Sequence, residues 1–418
     1  MKIKSLLFAL LLVNTAVAQD RFPQLGENDW GWWRGPLHNG VAPANTLPPV
    51  MWDDATNVKW KSEIPGRGHS SPIVVGDRGY LTSADETKLT QHVFCYSRSD
   101  GKLIWNTLMH QGDFDHNNKK NSFASGSVSC DGEKLYVSFF RDLKVITSAL
   151  DLEGKRIWEH TFEGFRSHQG FGCSPLLYKD MAIIAIDNKG TGGGALIALD
   201  RETGEEIWRT GRPQLPNYVS PVIYNINGKD QIFMAGCNLL ASYDPMTGKV
   251  NWQKEGTTEE VVGNVATDGE YIFSSGGYPK RETWCWKADG SGDLVWKNTV
   301  RTYVPSMLVL KTHLFTVTDD SIGYMWNKKT GEEIWKQRLS GGFSASPILA
   351  NGHIYVSSET GTTWVFKPKD DGVELISKNQ LGTGHMATPA FSGKQVFLRA
   401  IDESGAVRKE WLVCIEAE

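Results

Sequence analysis

Cysteine is scarce in this chain, six in 418 residues, and none forms an adjacent pair or a Cys-x-x-Cys. That pattern encodes neither a zinc site nor a redox dithiol. Cys95, Cys237, Cys285 and Cys414 fall within expected strands, where a free thiol serves as a small apolar residue. Cys95 and Cys414 occupy matching positions of neighbouring repeat units; such points on packed sheets lie about 10 Å apart, beyond the reach of a disulfide. Basic excess is also missing: the formal charge is −4, which leaves no electrostatic footprint for nucleic acid. Beyond Val13 no apolar run is long enough for a membrane span.

What the chain has in quantity is glycine (43) and tryptophan (16), and the two recur together. Gly-x-x-x-Trp occurs at Gly101/Trp105, Gly154/Trp158, Gly204/Trp208, Gly248/Trp252, Gly292/Trp296 and Gly331/Trp335, with Trp-to-Trp steps between 39 and 53 residues. A period of that size filled with strand-like runs is the mark of a β-propeller blade. Each unit opens on Ser-Pro or its equivalent (Ser71-Pro72, Ser174-Pro175, Ser220-Pro221, Ser346-Pro347, Thr388-Pro389). It continues through a hairpin into an aromatic-bearing strand, a third strand, a turn such as Asp200 to Gly204, and a fourth strand ending on Trp. Four short strands and three turns make one blade.

Seven units start near Ser70, Ser125, Cys173, Val219, Val262, Pro305 and Ala345; the seventh carries Ile376 where the others have Trp. The eighth supplies three strands, Ala387 to Phe391, Gln395 to Ile401 and Trp411 to Ile415. Asn57 to Lys61 matches a Trp-bearing fourth strand and has no blade of its own, so it is expected to complete blade eight and close the ring, removing the free sheet edges. The expected fold is therefore an all-β, eight-bladed propeller of four-stranded antiparallel blades spanning residues 56–418. The repeated Trp reads as packing between diverging blades.

Residues 1–18 have the pattern of a secretory signal: Lys2 and Lys4, the apolar run Leu6 to Val13, and Ala16-Val17-Ala18 before Gln19. No Cys follows, so lipid attachment is not expected, and the reading is a soluble extracytoplasmic protein. Residues 19–55 hold Pro23, Pro36, Pro43, Pro48 and Pro49, too many for regular pairing. They also hold Trp30, Trp32, Trp33 and Trp52, which are expected to be buried against the ring.

The repeat, fullest in Ala198-Leu199-Asp200-Arg201-Glu202-Thr203-Gly204-Glu205-Glu206-Ile207-Trp208, resembles the pyrroloquinoline-quinone-type propeller repeat over Asn57 to Glu418. Trp32-Trp33-Arg34-Gly35-Pro36 followed by Asn39-Gly40 is similar to the opening of secreted β-propeller proteins of that family. The resemblance implies one of two activities. In the family's quinoprotein dehydrogenases, pyrroloquinoline quinone with Ca²⁺ lies across the ring axis, bracketed by a Cys-Cys disulfide and a Trp; this chain has no Cys-Cys pair. The same repeat type forms the propeller subunit of the outer-membrane β-barrel assembly machinery, which implies a non-catalytic, protein-binding scaffold.

A third class, a small-molecule or carbohydrate binder or a hydrolytic protein, would use the mouth of the central channel. Loops from each outer strand to the next inner strand emerge at one face, where propellers carry function. Their side chains give the candidate ligand-binding set His69, His385, His168, Arg67, Tyr218, Arg301 and Tyr303. Gly66-Arg67-Gly68-His69 and Gly382-Thr383-Gly384-His385 match in pattern and belong to adjacent blades, so both imidazoles are expected near the axis. Asp113, Asp115 and His116 in the longest loop form a weaker candidate for a divalent metal. No catalytic residue, cofactor or metal is assigned, and pyrroloquinoline quinone with Ca²⁺ stays with the dehydrogenase alternative.

Overall fold

The computed structural model describes residues 21–115 and 117–417, so the expected signal segment and His116 lie outside the described residues. Within them the chain forms eight four-stranded antiparallel sheets and no helix. Blade 1 is typical, with strands Ile73–Val75, Arg78–Asp85, Thr90–Ser97 and Leu103–Gln111 in sequence order from the axis outward. Blade 8 takes Ala390–Ser392, Gln395–Asp402 and Lys409–Glu416 from the C-terminal end and its outer strand, Val58–Ile64, from the other. Trp60 pairs with Cys414 and Ile64 with Glu410, so the ring is closed as the repeat count implies.

The Gly-x-x-x-Trp motif is a lock between blades. In most blades the indole lies on the turn glycine of the next: an added Cβ at Gly154 would come within 2.7 Å of Trp105, at Gly204 within 2.6 Å of Trp158, and at Gly331 within 2.6 Å of Trp296, whereas Gly292 meets Lys254 and Trp252 lies by Gly290. These glycines also have φ near +70 to +84°, so both close approach and backbone conformation demand glycine. The indole N–H then donates to a carbonyl of the same turn, Trp105 to Leu152 at 2.8 Å and Trp158 to Arg201 at 2.9 Å. Opposite each Trp the strand register slips by one residue, a bulge that strengthens local twist.

Blade 7 corrects one reading. Val365 pairs with Ser377, and the register slips before Leu375, just as Ala198 pairs with Trp208 and slips before Glu206. Ser377 therefore holds the Trp position, and Ile376 is the bulged residue. The missing indole comes from elsewhere. Trp52 of the N-terminal segment is stacked on Tyr355 with ring centroids 6.3 Å apart, where other blades set a fourth-strand Trp against a second-strand aromatic, as Trp105 meets Tyr80 at 5.9 Å. Its backbone N–H donates to Asn379 Oδ1 at 3.2 Å, and Ser377 Oγ donates to the Val50 carbonyl.

The rest of that segment crosses the base of the ring. Trp30 bonds backbone to backbone with Val74, the Cys130 N–H donates to the Gly31 carbonyl, Trp32 Nε1 donates to Pro175 O, and Ala42 and Leu349 are bonded at 2.8 Å. Trp30, Trp32 and Trp52 are buried. The inner strands start at the outer-to-inner loops and run away from them, and the backbone contacts at Val74, Cys130 and Leu349 lie within those strands, beyond the loops, so the segment covers the axis opposite the loop face. All six cysteines are free and buried.

Candidate functional site

Around the axis the first residues of the blades form a hydrogen-bonded collar. The backbone N–H of each donates to the side-chain oxygen of its neighbour: Ser71 to Ser127 (2.8 Å), Ser127 to Ser174 (3.0 Å), Ser174 to Ser220 (2.9 Å), Asn264 to Ser306 (2.9 Å), Ser306 to Ser346 (2.9 Å), Ser346 to Thr388 (2.9 Å) and Thr388 to Ser71 (3.0 Å). A short Ser or Thr side chain places its oxygen beside the next blade's N–H, which explains the repeated Ser-Pro. One link of the circle is missing, from Ser220 to position 264, where the repeat has Asn instead of Ser. Among the described residues neither Nδ2 nor Oδ1 of Asn264 has a partner, and the residue is only 3% exposed.

The collar surrounds a cavity of about 480 Å³ whose lining includes Trp33, His69, Tyr218, Asn264, Arg301, Tyr303 and Asp319. A hollow of about 580 Å³ lies at the seam of blades 8 and 1, lined by exposed polar residues such as Asp77, Lys394 and Ser99; among the described residues no buried polar atom without a partner belongs to its lining. At the mouth of the axial cavity the charges are paired within the protein. Arg301 Nη2 is bonded to Asp319, Lys120 Nζ lies 2.7 Å from Glu359, and the buried Glu260 carboxylate is held between His168 Nε2 (3.3 Å) and the Tyr303 hydroxyl (3.0 Å). Burial first, then the Glu260 charge, holds the Tyr303 hydroxyl well above its ordinary range.

Four of the seven candidate residues, His69, Tyr218, Arg301 and Tyr303, line this cavity. Burial, reinforced by the charge of Arg67, keeps the His69 imidazole neutral, well below its ordinary pKa. Arg67 and His168 sit on the rim: Arg67 donates to the Lys119 carbonyl at 2.9 Å, and the His168 side chain is 44% exposed. His385 departs from the expected symmetry. It is fully buried, with Nε2 3.1 Å from the Gly361 carbonyl and Nδ1 3.3 Å from the Arg399 carbonyl. The collar shows why. Thr388 is the equivalent of Ser71, so His69 aligns with Met386, which does line the cavity, and His385 is one residue out of step, on the opposite face.

In the long loop, Asp115 Oδ2 accepts the Leu143 N–H at 2.8 Å and shapes the chain. His110 is buried against Phe139, its pKa lowered to about 4 chiefly by burial. No cluster of three or more His, Cys, Asp or Glu suited to a metal occurs among the described residues. A quinone held by Ca²⁺ across the axis needs an anionic oxygen set. Asp319 is the one carboxylate among the cavity-lining residues, and Arg301 already neutralises it; these residues do not fit that pair.

Glu260, Asp319, Lys120, Asn264 and the collar hydroxyls were not among the sequence candidates. The break from Ser-Pro to Asn264-Val265 was the one signal in the sequence that could have marked Asn264.

Among curated proteins, the chain is 24% identical over 226 residues to the outer membrane protein assembly factor BamB of Legionella pneumophila, covering 54% of this chain and 47% of that protein. It is likewise 24% identical over 238 residues to the polyvinylalcohol dehydrogenase of a Pseudomonas species, covering 53% of this chain and 35% of that one. It thus spans less than half the length of these relatives. Among solved structures, a europium-containing methanol dehydrogenase superposes with a TM-score of 0.68 at 12% identity, over 96% of this chain and 99% of that one, a likeness of fold. Family-model matches over residues 50–167, 89–336 and 289–401 take in nearly the whole ring, and the chain belongs to the family described as outer membrane protein assembly factor BamB.

Proposed function

We propose that this protein is an exported, non-catalytic scaffold that binds a protein partner through the loop face of its propeller. The observation that carries this reading is the pairing of charges at the mouth. Arg301 with Asp319, Lys120 with Glu359, and His168 with Glu260 and Tyr303 are each engaged inside the protein, so these groups hold one another and the face offers a polar surface to a partner. Family membership supports the same reading, since the family's name is that of an assembly factor. No helix among the described residues is long and apolar enough to cross a membrane.

Three measurements test it. A photo-reactive residue placed at exposed Tyr278 on the loop side should cross-link to one defined envelope protein in the exporting host, while one at exposed Leu375 on an outer strand should not; equal labelling from both sites would defeat the assignment. Purified protein with pyrroloquinoline quinone and Ca²⁺ should show neither the quinone's shifted absorbance nor dye-linked oxidation of alcohols, and stoichiometric uptake with turnover would establish the oxidoreductase alternative. Export itself predicts a mature N-terminus at Gln19; intact-mass detection of Met1 in the exported protein would overturn it.

A further inference from the structure

The floor of the axial cavity carries polar groups that the protein leaves unsatisfied. Besides both amide atoms of Asn264, the buried Nε1 of Trp33 has no partner among the described residues. An unpaired polar group in a protein interior costs about 1 to 3 kcal/mol, so this concentration around one space needs a reason. The collar adds to it. The hydroxyls of Ser71, Ser127, Ser174, Ser346 and Thr388 spend their oxygen accepting a neighbour's N–H, and none has an acceptor for its own proton among the described residues. A hydroxyl both accepts and donates. The ring is therefore a circle of hydroxyls with donor capacity to spare, surrounding the axis.

Charge points the same way. Arg34 lies directly behind Trp33, its guanidinium carbon 5.7 Å from that ring, and donates to the carbonyls of Asn39 and Met307. Met307 follows Ser306, the residue bonded to the Asn264 N–H, so the guanidinium and the free amide lie on one side of the floor. Arg34 is 2% exposed, forms no ion pair among the described residues, and has Nη1 without a partner. Burial lowers its pKa only to about 10, so it stays charged at neutral pH. At the mouth Arg301 and Lys120 are matched by Asp319 and Glu359, whereas Arg34 has no counter-charge among the described residues, so it places positive charge behind Trp33 at the base of the cavity.

We propose that the axial cavity is a binding site for a small organic carboxylate, with Asn264 and Trp33 donating to it at the floor, the collar hydroxyls around it and the Arg34 charge beneath. Asn at position 264 is then a binding residue gained by giving up one link of a structural ring. A flat aromatic quinone is not required.

The full mature chain is titrated with citrate and with succinate by calorimetry and thermal shift, with glucose and with sodium chloride at matched ionic strength as controls. At least one carboxylate is expected to bind saturably and raise the melting temperature. Asn264→Ser restores the missing link, so it should melt at or above the wild-type temperature while weakening the carboxylate at least tenfold; Trp33→Phe, which removes the N–H together with part of the ring, should weaken it several-fold. The proposal fails if neither carboxylate binds, if sodium chloride reproduces the shift, if Asn264→Ser binds as well as wild type, or if it melts lower. Glucose binding that depends on Asn264 would overturn the anionic class.

Discussion

At the scale of single residues, the interior charges set the sharpest expectations. Arg399 and Glu410 are about 1% and 0% exposed and joined at 2.7 Å, and Arg399 also donates to Ser70 Oγ and the Thr82 carbonyl of the neighbouring blade. Glu410→Gln strands a buried cation, and chemical denaturation should show a loss of about 3 to 5 kcal/mol. Replacing both residues by Met and Leu should cost far less, and equal losses would mean that packing matters more than charge. Histidine gives the pH dependence. Burial lowers His38 to about 3 and His110 to about 4, whereas in the unfolded chain both titrate near 6.5. Below pH 6.5 the unfolded state binds protons that the native state refuses, so stability falls with pH down to the folded values, by up to about 1.4 kcal/mol per pH unit for each imidazole. Denaturant midpoints at pH 7 and pH 5 should differ accordingly, and His110→Phe should narrow the gap.

At the scale of elements, two pieces of the N-terminal region complete blades that the repeats leave unfinished. Val58–Ile64 is the outer strand of blade 8, reinforced by Lys59 against Glu416 at 2.6 Å, and Trp52 fills the indole position of blade 7. Trp60→Ala and Trp52→Ala should each cost about 3 to 5 kcal/mol by urea denaturation, the usual range for a buried Trp. If Trp52 were ordinary tail packing, its loss would fall well below that of Trp60. Removing residues 19 to 61 should expose the edge of Lys409–Glu416 and drive association visible by light scattering; a truncated monomer melting at the full-length temperature would contradict the closure.

At the scale of the whole molecule, the blades are coupled twice, by the indole-on-glycine contacts outside and the Ser and Thr collar inside. Closure joins the two ends of the chain through Thr388 to Ser71 at 3.0 Å and Arg98 to Gln395 at 2.7 Å. The ring is therefore expected to open as one unit, with amide exchange in Val58–Ile64 as slow as in Val250–Glu255, the outer strand of the fourth blade. Rapid exchange confined to Val58–Ile64 would show that the closing strand frays on its own.

Sequence alone determined the blade count, the strand order and the origin of the closing strand, because these depend on local spacing: a turn glycine every blade, alternation along each strand, and an unpaired Trp-bearing run near the start. It could not supply the register. The one-residue offset that buries His385 and brings Met386 to the axis, and the slip that gives Ser377 rather than Ile376 the Trp position, depend on bulges and interblade bonds that no spacing reveals. The tertiary structure alone also decided what converges. Asn264 and Trp33 are 231 residues apart and share one floor because a closed ring gathers the start of every blade around one axis, while the N-terminal segment crosses beneath it.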